Sequence, residues 1–116
     1  MSLQQLEFNI PTTFTVFEGI PNCYRISIRD QIPPLTLKFK LLSAKGDLNV
    51  FASFKHTEPT MKNHDFISNK FRMIKINSYR GDNLFISMTS QQGCEVSVTA
   101  ISAEPNKKDV KVKKDD

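Results

Sequence analysis

The chain contains few of the residues from which catalytic and phosphate-binding sites are commonly built. Its 116 residues include four glycines, two cysteines, two histidines and no tryptophan. Four separate glycines cannot form a glycine-rich phosphate loop, and neither a Cys-x-x-Cys nor a His-Glu-x-x-His motif occurs. We therefore expect a protein that is not an enzyme and that requires no cofactor and no metal.

Long hydrophobic runs are also missing. No segment approaches the roughly 18 apolar residues of a membrane-spanning helix, and residues 1–8 lack the basic start and apolar stretch of a signal peptide. The formal net charge of +4 is mild, which permits contact with an acidic partner without indicating nucleic-acid binding. We expect a cytoplasmic protein that is not integral to a membrane and does not bind nucleic acid.

The two cysteines, Cys23 and Cys94, are too few for a disulfide framework. Cys23 lies on the strand phase opposite to Tyr24 and Ile26, whereas Cys94 shares the apolar phase of Val96. Opposite phases make a bridge geometrically awkward, and free cysteine is often buried as a small hydrophobic residue. We predict two reduced thiols, with a single bridge between two sheets as the alternative.

What the chain does contain is apolar residues at every second position. Leu35, Leu37 and Phe39 alternate with Thr36 and Lys38, which is typical of a strand with one buried face. Similar runs, separated by turns that contain Gly or Pro, predict seven or eight strands in an all-β, antiparallel two-sheet β-sandwich. The predicted strands span residues 6–10, 13–17, 23–29, 35–41, 48–54, 74–76, 84–88 and 94–100, within a domain of residues 1–103.

Two segments fall outside this pattern. Residues 55–70 are too many for a tight hairpin, and we expect a crossover between sheets, with a functional loop as the alternative. Residues 104–116 contain five lysines and four carboxylates but little apolar surface. We expect them to form a disordered charged tail or linker.

Short motifs in the middle of the chain resemble the bacterial pre-peptidase C-terminal domain. That family runs from a Pro-led strand into a Gly-Asp turn, a Leu-x-Val strand, a Pro-containing polar loop and a final pair of strands. The matching stretches are Pro34-Leu35-Thr36-Leu37, Gly46-Asp47-Leu48-Asn49-Val50, Glu58-Pro59-Thr60, Asn63-His64-Asp65-Phe66, Asn83-Leu84-Phe85-Ile86 and Gly93-Cys94-Glu95-Val96. The resemblance implies a jelly-roll-like sandwich that serves as a non-catalytic interaction module.

Six residues are candidates for a binding surface. If its strand neighbours face the core, alternation points Phe51 outward, and the same argument points Phe85 outward on a second strand. Together they would form an exposed apolar patch, unless the N-terminal segment 8–17 covers them. A positive surface for an acidic partner would be added by Lys38, Lys40, Lys55 and Lys62.

Two turn motifs have alternative explanations. Asp47 and Asp82 each follow a glycine at a predicted turn, where a carboxylate either bonds its own backbone or, with Glu58 and Asp65, contributes to a calcium site. Arg80-Gly81-Asp82 spells the tripeptide recognised by integrins, although Gly-Asp before a strand is also ordinary turn chemistry. We expect turn chemistry at both positions.

These observations support two functional hypotheses. The leading one is an interaction module that docks onto another protein, or links domains of a larger assembly, through an outer sheet face or an edge strand. The alternative is a module that binds carbohydrate or anionic lipid or phosphate groups through the 55–70 loop. A flat apolar patch around Phe51 would favour the first hypothesis, and a basic groove beside the loop would favour the second.

Overall fold

The computed structural model describes residues 4–42, 47–68 and 72–102, and within these ranges the chain forms β-strands and no helix. The nine strands are β1 (Gln4–Leu6), β2 (Thr12–Val16), β3 (Asn22–Ser27), β4 (Leu35–Leu41), β5 (Asn49–Ser53), β6 (Phe66–Ile67), β7 (Met73–Ile76), β8 (Asn83–Thr89) and β9 (Cys94–Ser102). The predicted all-β class is confirmed. The described residues form nine strands, whereas seven or eight were expected.

The strands form two sheets that face each other as a sandwich. The five-stranded sheet has the order β1-β3-β8-β5-β6, and the four-stranded sheet has the order β2-β9-β4-β7. Successive strands from β2 to β5, and again from β6 to β9, alternate between the sheets. With β1 set aside, this is the jelly-roll arrangement of two four-stranded sheets, and all of its strand pairs are antiparallel.

The core lies between the sheets and is built by the predicted alternation. Leu35, Leu37 and Phe39 are buried, while Lys38 and Lys40 between and beyond them are exposed. An aromatic contact between the sheets joins β2 to β3, where the rings of Phe14 and Tyr24 stack with centroids 4.7 Å apart. The Tyr24 hydroxyl donates to the Met88 sulfur at 3.5 Å, and complete burial raises the pKa of this phenol.

The first strand differs from the prediction. Alternation placed it at residues 6–10, but β1 ends at Leu6 and pairs in parallel with β3. Asn9 has a φ of 64°, which breaks an extended strand because this left-handed conformation cannot continue the pleat. The chain instead crosses to the other sheet here, where Phe8 forms a single bridge with Ala100 and the Asn9 amide donates to the Ala100 carbonyl at 2.8 Å.

The interpretation of residues 55–70 as a crossover between sheets is wrong for most of the segment. β5 and β6 are antiparallel neighbours in the same sheet, with Phe51 opposite Ile67. Residues 54–65, which we term the covering loop, therefore leave and rejoin one sheet. The crossover to β7 begins only after Ile67. The interpretation missed this because alternation cannot reveal a strand of two residues such as β6.

Both cysteines are free thiols, as predicted. Cys23 is half-buried in β3, and Cys94 is buried in the core from β9 in the other sheet. The predicted charged tail, residues 104–116, lies outside the described residues.

Candidate functional site

The six predicted binding residues do not form one site. They divide between the two outer faces of the sandwich, because Lys38 and Lys40 point outward from the four-stranded sheet, whereas Phe51 and Phe85 belong to the five-stranded sheet. Lys55 and Lys62 lie in the covering loop and are exposed.

Phe51 has the predicted orientation but not the predicted exposure. Its neighbours Val50 and Ala52 belong to the core, so Phe51 faces outward, yet its side chain is only 6% exposed. The ring of His64 in the covering loop lies against it, with ring centroids 5.3 Å apart, and Pro59 of the same loop is buried. The expected exposed patch at Phe51 is therefore wrong, and the cover is the loop rather than the N-terminal segment.

The covering loop is held closed at its two ends by Ser53 and Asp65. Ser53 Oγ donates to Asp65 Oδ2 at 3.1 Å, and the Phe54 amide donates to the same oxygen at 2.9 Å. The amides of Lys55 and His56 donate to Ser53 Oγ, each at 3.0 Å. The bond from Phe54, together with the bond from Ser53, outweighs burial and holds the pKa of the Asp65 carboxyl below its usual range, so the loop is closed by an ionised carboxylate at neutral pH.

On the same outer face, Cys23, Ser87 and Phe51 lie side by side across three strands. The Cys23 thiol is hydrogen-bonded to the Ser87 side chain, but burial and the nearby charge of Glu58 raise the pKa of this thiol. Since the thiolate is the nucleophilic form, Cys23 is held in its less reactive state. Phe85, in the adjacent row, is half-buried rather than fully exposed.

An open cleft of about 320 Å³ separates the covering loop from the turn between β7 and β8. Its lining residues are Phe54, Asp65, Phe66, Ser78 and Arg80. The rings of Phe54 and Phe66 pack edge to face with centroids 5.7 Å apart, and the charge of Arg80 helps to lower the pKa of Asp65. The cleft thus combines two aromatic rings with one positive and one negative side chain, and is not the basic groove that would have favoured the ligand-binding hypothesis.

Three large apolar side chains protrude at the end of the sandwich where β2, β4 and β8 finish. Phe17 is 63% exposed, Ile20 is 60% exposed and Leu42 is 47% exposed. We term these three residues the apolar end. By alternation from Val16, which is buried, and Lys40, which is exposed, Phe17 and Leu42 both continue the outer face of the four-stranded sheet.

Backbone hydrogen bonds bring the apolar end together. Phe17 and Ile20 close one turn, in which the Ile20 amide donates to the Phe17 carbonyl at 3.0 Å. The Leu42 amide donates to the Glu95 carbonyl at 2.8 Å, and β2 flanks β9 on its other side. Because neighbouring strands lie about 4.8 Å apart, the backbones that carry Phe17 and Leu42 are separated by about 10 Å across the sheet, and the register with β9 offsets them by two residues, about 7 Å, along it.

A single carboxylate, Asp47, ties together the loops beneath the apolar end. Its Oδ1 accepts from Ser90 Oγ at 3.1 Å and from the amides of Gln91 at 2.9 Å and Gln92 at 3.3 Å. The Ser90 carbonyl accepts in turn from the amide of Gly19 at 3.2 Å, inside the turn that carries Phe17. Burial opposes ionisation of Asp47, but the hydrogen bonds outweigh it and hold the pKa of this carboxyl below its usual range.

The two aspartates of the repeated Gly-Asp motif therefore have different surroundings. Asp47 bonds residues more than forty positions away, whereas the Asp82 carbonyl at the opposite end accepts from the Ile28 amide at 2.9 Å. Within the described ranges, no group of three or more His, Cys, Asp or Glu side chains is arranged to hold a metal ion.

Charge divides the outer surface around the apolar end. Glu18 lies within the Phe17 turn and Glu95 lies beside Leu42, and both carboxylates are on exposed residues. The charged side chains farther along the outer face of the four-stranded sheet are Lys40, Lys38 and Lys75, among uncharged neighbours. The apolar end thus has an acidic margin, while the sheet face next to it is basic.

Sequence reasoning missed this site. It placed Phe17 in the segment given as the alternative cover of Phe51, and it gave Leu42 no role. The outward phase of Phe17, which follows Thr13 and Thr15, was the available local signal. Its proximity to Leu42 depends on the register of β2 and β4 with β9, which local alternation does not contain.

Comparison with known proteins adds no relative to this description. A scan against protein-family models finds no match, and a search of the curated proteins finds no similar sequence. In the described part of the chain, no helix has the length and apolar character needed to cross a membrane.

Proposed function

We propose that this chain is a non-catalytic β-sandwich interaction module that docks onto another protein through its apolar end. The observation that carries the proposal is the joint exposure of Phe17, Ile20 and Leu42 on neighbouring loops at one end of the sandwich. Single exposed apolar residues are ordinary, but a group of large ones marks a contact site. Phe17 is the natural anchor, because aromatic side chains supply much of the energy of protein interfaces.

The magnitude of this contact supports docking of moderate strength. Complete burial of a large apolar side chain contributes about 1.5–3 kcal/mol. Roughly half of the surface of these three side chains is still exposed, so binding could add roughly half of that free energy for each. Together they would contribute roughly 3–4 kcal/mol by that scale. The Asp47 bonds hold the supporting loops in place before binding, so little ordering is left to oppose association.

The charges around the apolar end indicate what the partner surface contains. Glu18 and Glu95 border the three apolar side chains, so a complementary surface has an apolar pocket with lysine or arginine at its margin. The resemblance to the pre-peptidase C-terminal domain supports the same class of function, because that family consists of non-catalytic appendages. We include membership of that family, and a role inside the cell, in the proposal.

The test is site-specific photo-crosslinking in the source cells. A photoreactive amino acid at Phe17 is expected to capture a protein partner, whereas the same amino acid at Met61, which is 65% exposed in the covering loop, is the matched control. Ile20→Ser should remove the Phe17 crosslink, while Ile10→Ser, at a residue 52% exposed elsewhere, should not. Equal capture at Phe17 and Met61 would refute docking through the apolar end.

A second candidate function rests on the cleft beside the covering loop. Its two phenyl rings, Ser78 hydroxyl and Arg80 guanidinium offer an apolar surface with hydrogen-bonding groups, which suits a carbohydrate or a small anionic group. The proximity of Asp65 offsets the charge of Arg80, so this candidate ranks second. Chemical-shift changes confined to Phe54, Phe66 and Ser78 on titration with sugars or inorganic phosphate would support it.

A further inference from the structure

Three exposed lysines form a line on the outer face of the four-stranded sheet. Lys38 and Lys40 are alternate residues of β4, so they are about 7 Å apart along the strand. Lys75 lies on β7, opposite Thr36, which makes it the diagonal neighbour of Lys38 at about 7–8 Å. We term these three residues the lysine track.

Each lysine of the track faces a hydroxyl residue on the adjacent strand. Lys40 is paired with Ser97 and Lys38 with Thr99, and Lys75 is paired with Thr36. Directly opposed side chains have Cβ atoms about 4.5–5.5 Å apart. An ammonium group donates hydrogen bonds only, and a hydroxyl can donate one more. Each lysine and its opposed hydroxyl can therefore donate to the oxygens of one carboxylate or phosphate group from two sides.

The surroundings of the track favour a negative ligand. The other described outward residues along it are the uncharged Thr13, Met73 and Ile101. The described carboxylate on this face, Glu95, lies one row beyond Lys40, toward the apolar end. Charge complementarity therefore selects a ligand with anionic groups in a line.

We propose that the lysine track binds an extended acidic peptide segment in which every second residue is Glu, Asp or a phosphorylated serine. In an extended chain, alternate side chains recur every 6.6–6.8 Å or thereabouts, which matches the spacing of Lys38 and Lys40. Single-stranded nucleic acid is disfavoured, because the described outward neighbours of the three lysines include no aromatic side chain for base stacking. The track adjoins the apolar end on the same face, but it consists of different residues, and the proposal does not depend on the function proposed for the apolar end.

The test compares two peptides of equal charge on the full-length chain. One fluorescein-labelled peptide alternates Glu with Ser over seven residues, and the other has the same composition with its Glu residues contiguous. Fluorescence anisotropy at low salt should give tighter binding of the alternating peptide, and the difference should vanish at about 1 M salt, where charge interactions are screened. Equal affinity for the two peptides would overturn the spacing argument.

Matched charge reversals locate the site. Lys38→Glu should weaken binding of the alternating peptide about tenfold, whereas Lys62→Glu, on the covering loop at the opposite side, should change it less than about twofold and controls for net charge. Thr99→Val should weaken binding without any change of charge. Lys40→Glu replaces Lys38→Glu if the latter fails to give the wild-type circular dichroism spectrum.

Two results would refute the proposal. Equal effects of Lys38→Glu and Lys62→Glu would show that the anion binds elsewhere on the chain. Tighter binding of an oligothymidylate of the same charge, also abolished by Lys38→Glu, would assign the track to a nucleic-acid backbone instead of a peptide.

Discussion

Phe51→Ala is the substitution that most directly tests the covering loop. Phe51 faces away from the sandwich core, yet only 6% of its surface is exposed, and the ring of His64 in the covering loop lies against it. Replacement by alanine removes the surface on which the loop packs. We expect a loss of stability that an exposed outer-face phenylalanine would not produce.

The size of the loss follows from the burial of the ring. Truncation of a buried phenylalanine to alanine costs about 3–5 kcal/mol, depending on how far the surroundings can collapse. One wall of the new cavity is a loop of residues 54–65 rather than a strand, so we expect about 3 kcal/mol, the lower end of that range. For a domain of this size, that corresponds to a fall in melting temperature of roughly 12 °C or more.

The assay is urea denaturation followed by circular dichroism, with Phe17→Ala as the control. Phe17 is 63% exposed, so its truncation should stay within about 0.5 kcal/mol of the wild type. Hydrogen exchange should also accelerate at the Lys55 and His56 amides, which donate to Ser53 Oγ in the closed loop. If Phe51→Ala costs no more than Phe17→Ala, the loop does not cover Phe51 in solution and the reasoning is refuted.

Three further predictions concern titratable groups. The pKa values of Asp47 and Asp65 are lowered in the folded chain, so their contribution to stability is complete above pH 4 or so and is lost as the pH falls through the lowered values. Asp47→Asn should therefore be less stable than the wild type near neutral pH. Its stability should also fall less steeply as the pH is lowered, as measured by acid unfolding followed by circular dichroism. Cys23 and Cys94 should both remain alkylatable in denaturant without reductant, and in the native state iodoacetamide should modify half-buried Cys23 before buried Cys94, as read by intact mass. The Tyr79 hydroxyl is buried without a hydrogen-bond partner among the described residues, so Tyr79→Phe should leave stability unchanged or raise it by up to about 1 kcal/mol, and a clear loss in thermal melting would contradict that.

The architecture was predictable because the core-facing residues follow a strict period of two. β4 and β9 each alternate buried with less buried positions along their length, and such strands are identified without knowledge of their partners. Where the local signal is weak, the prediction was wrong. The positive φ at Asn9 ends the first strand early, and β6 is too short to show alternation.

The functional surfaces were less predictable, because exposure depends on contacts between distant segments. Alternation gave the correct direction of the Phe51 side chain, but its cover comes from His64, thirteen residues further along. In the same way, Phe17 and Leu42 each follow the last residue of a strand that looks ordinary in isolation. Only the shared partner strand β9 brings them to one end of the sandwich.

The two outer faces of the sandwich differ in how far they are covered, and this difference decides where we expect binding. In β5 four of the five residues are buried, because the core buries the inner side of this strand and the covering loop buries its outer side. A partner could reach Phe51 only by displacing a loop whose ends are held by Ser53 and Asp65. The outer residues of β4 remain exposed, with the apolar end continuing the same face. Substitutions at Lys38, Phe17 and Leu42 should therefore change association and leave unfolding unaltered, whereas substitutions at Phe51 should change unfolding first.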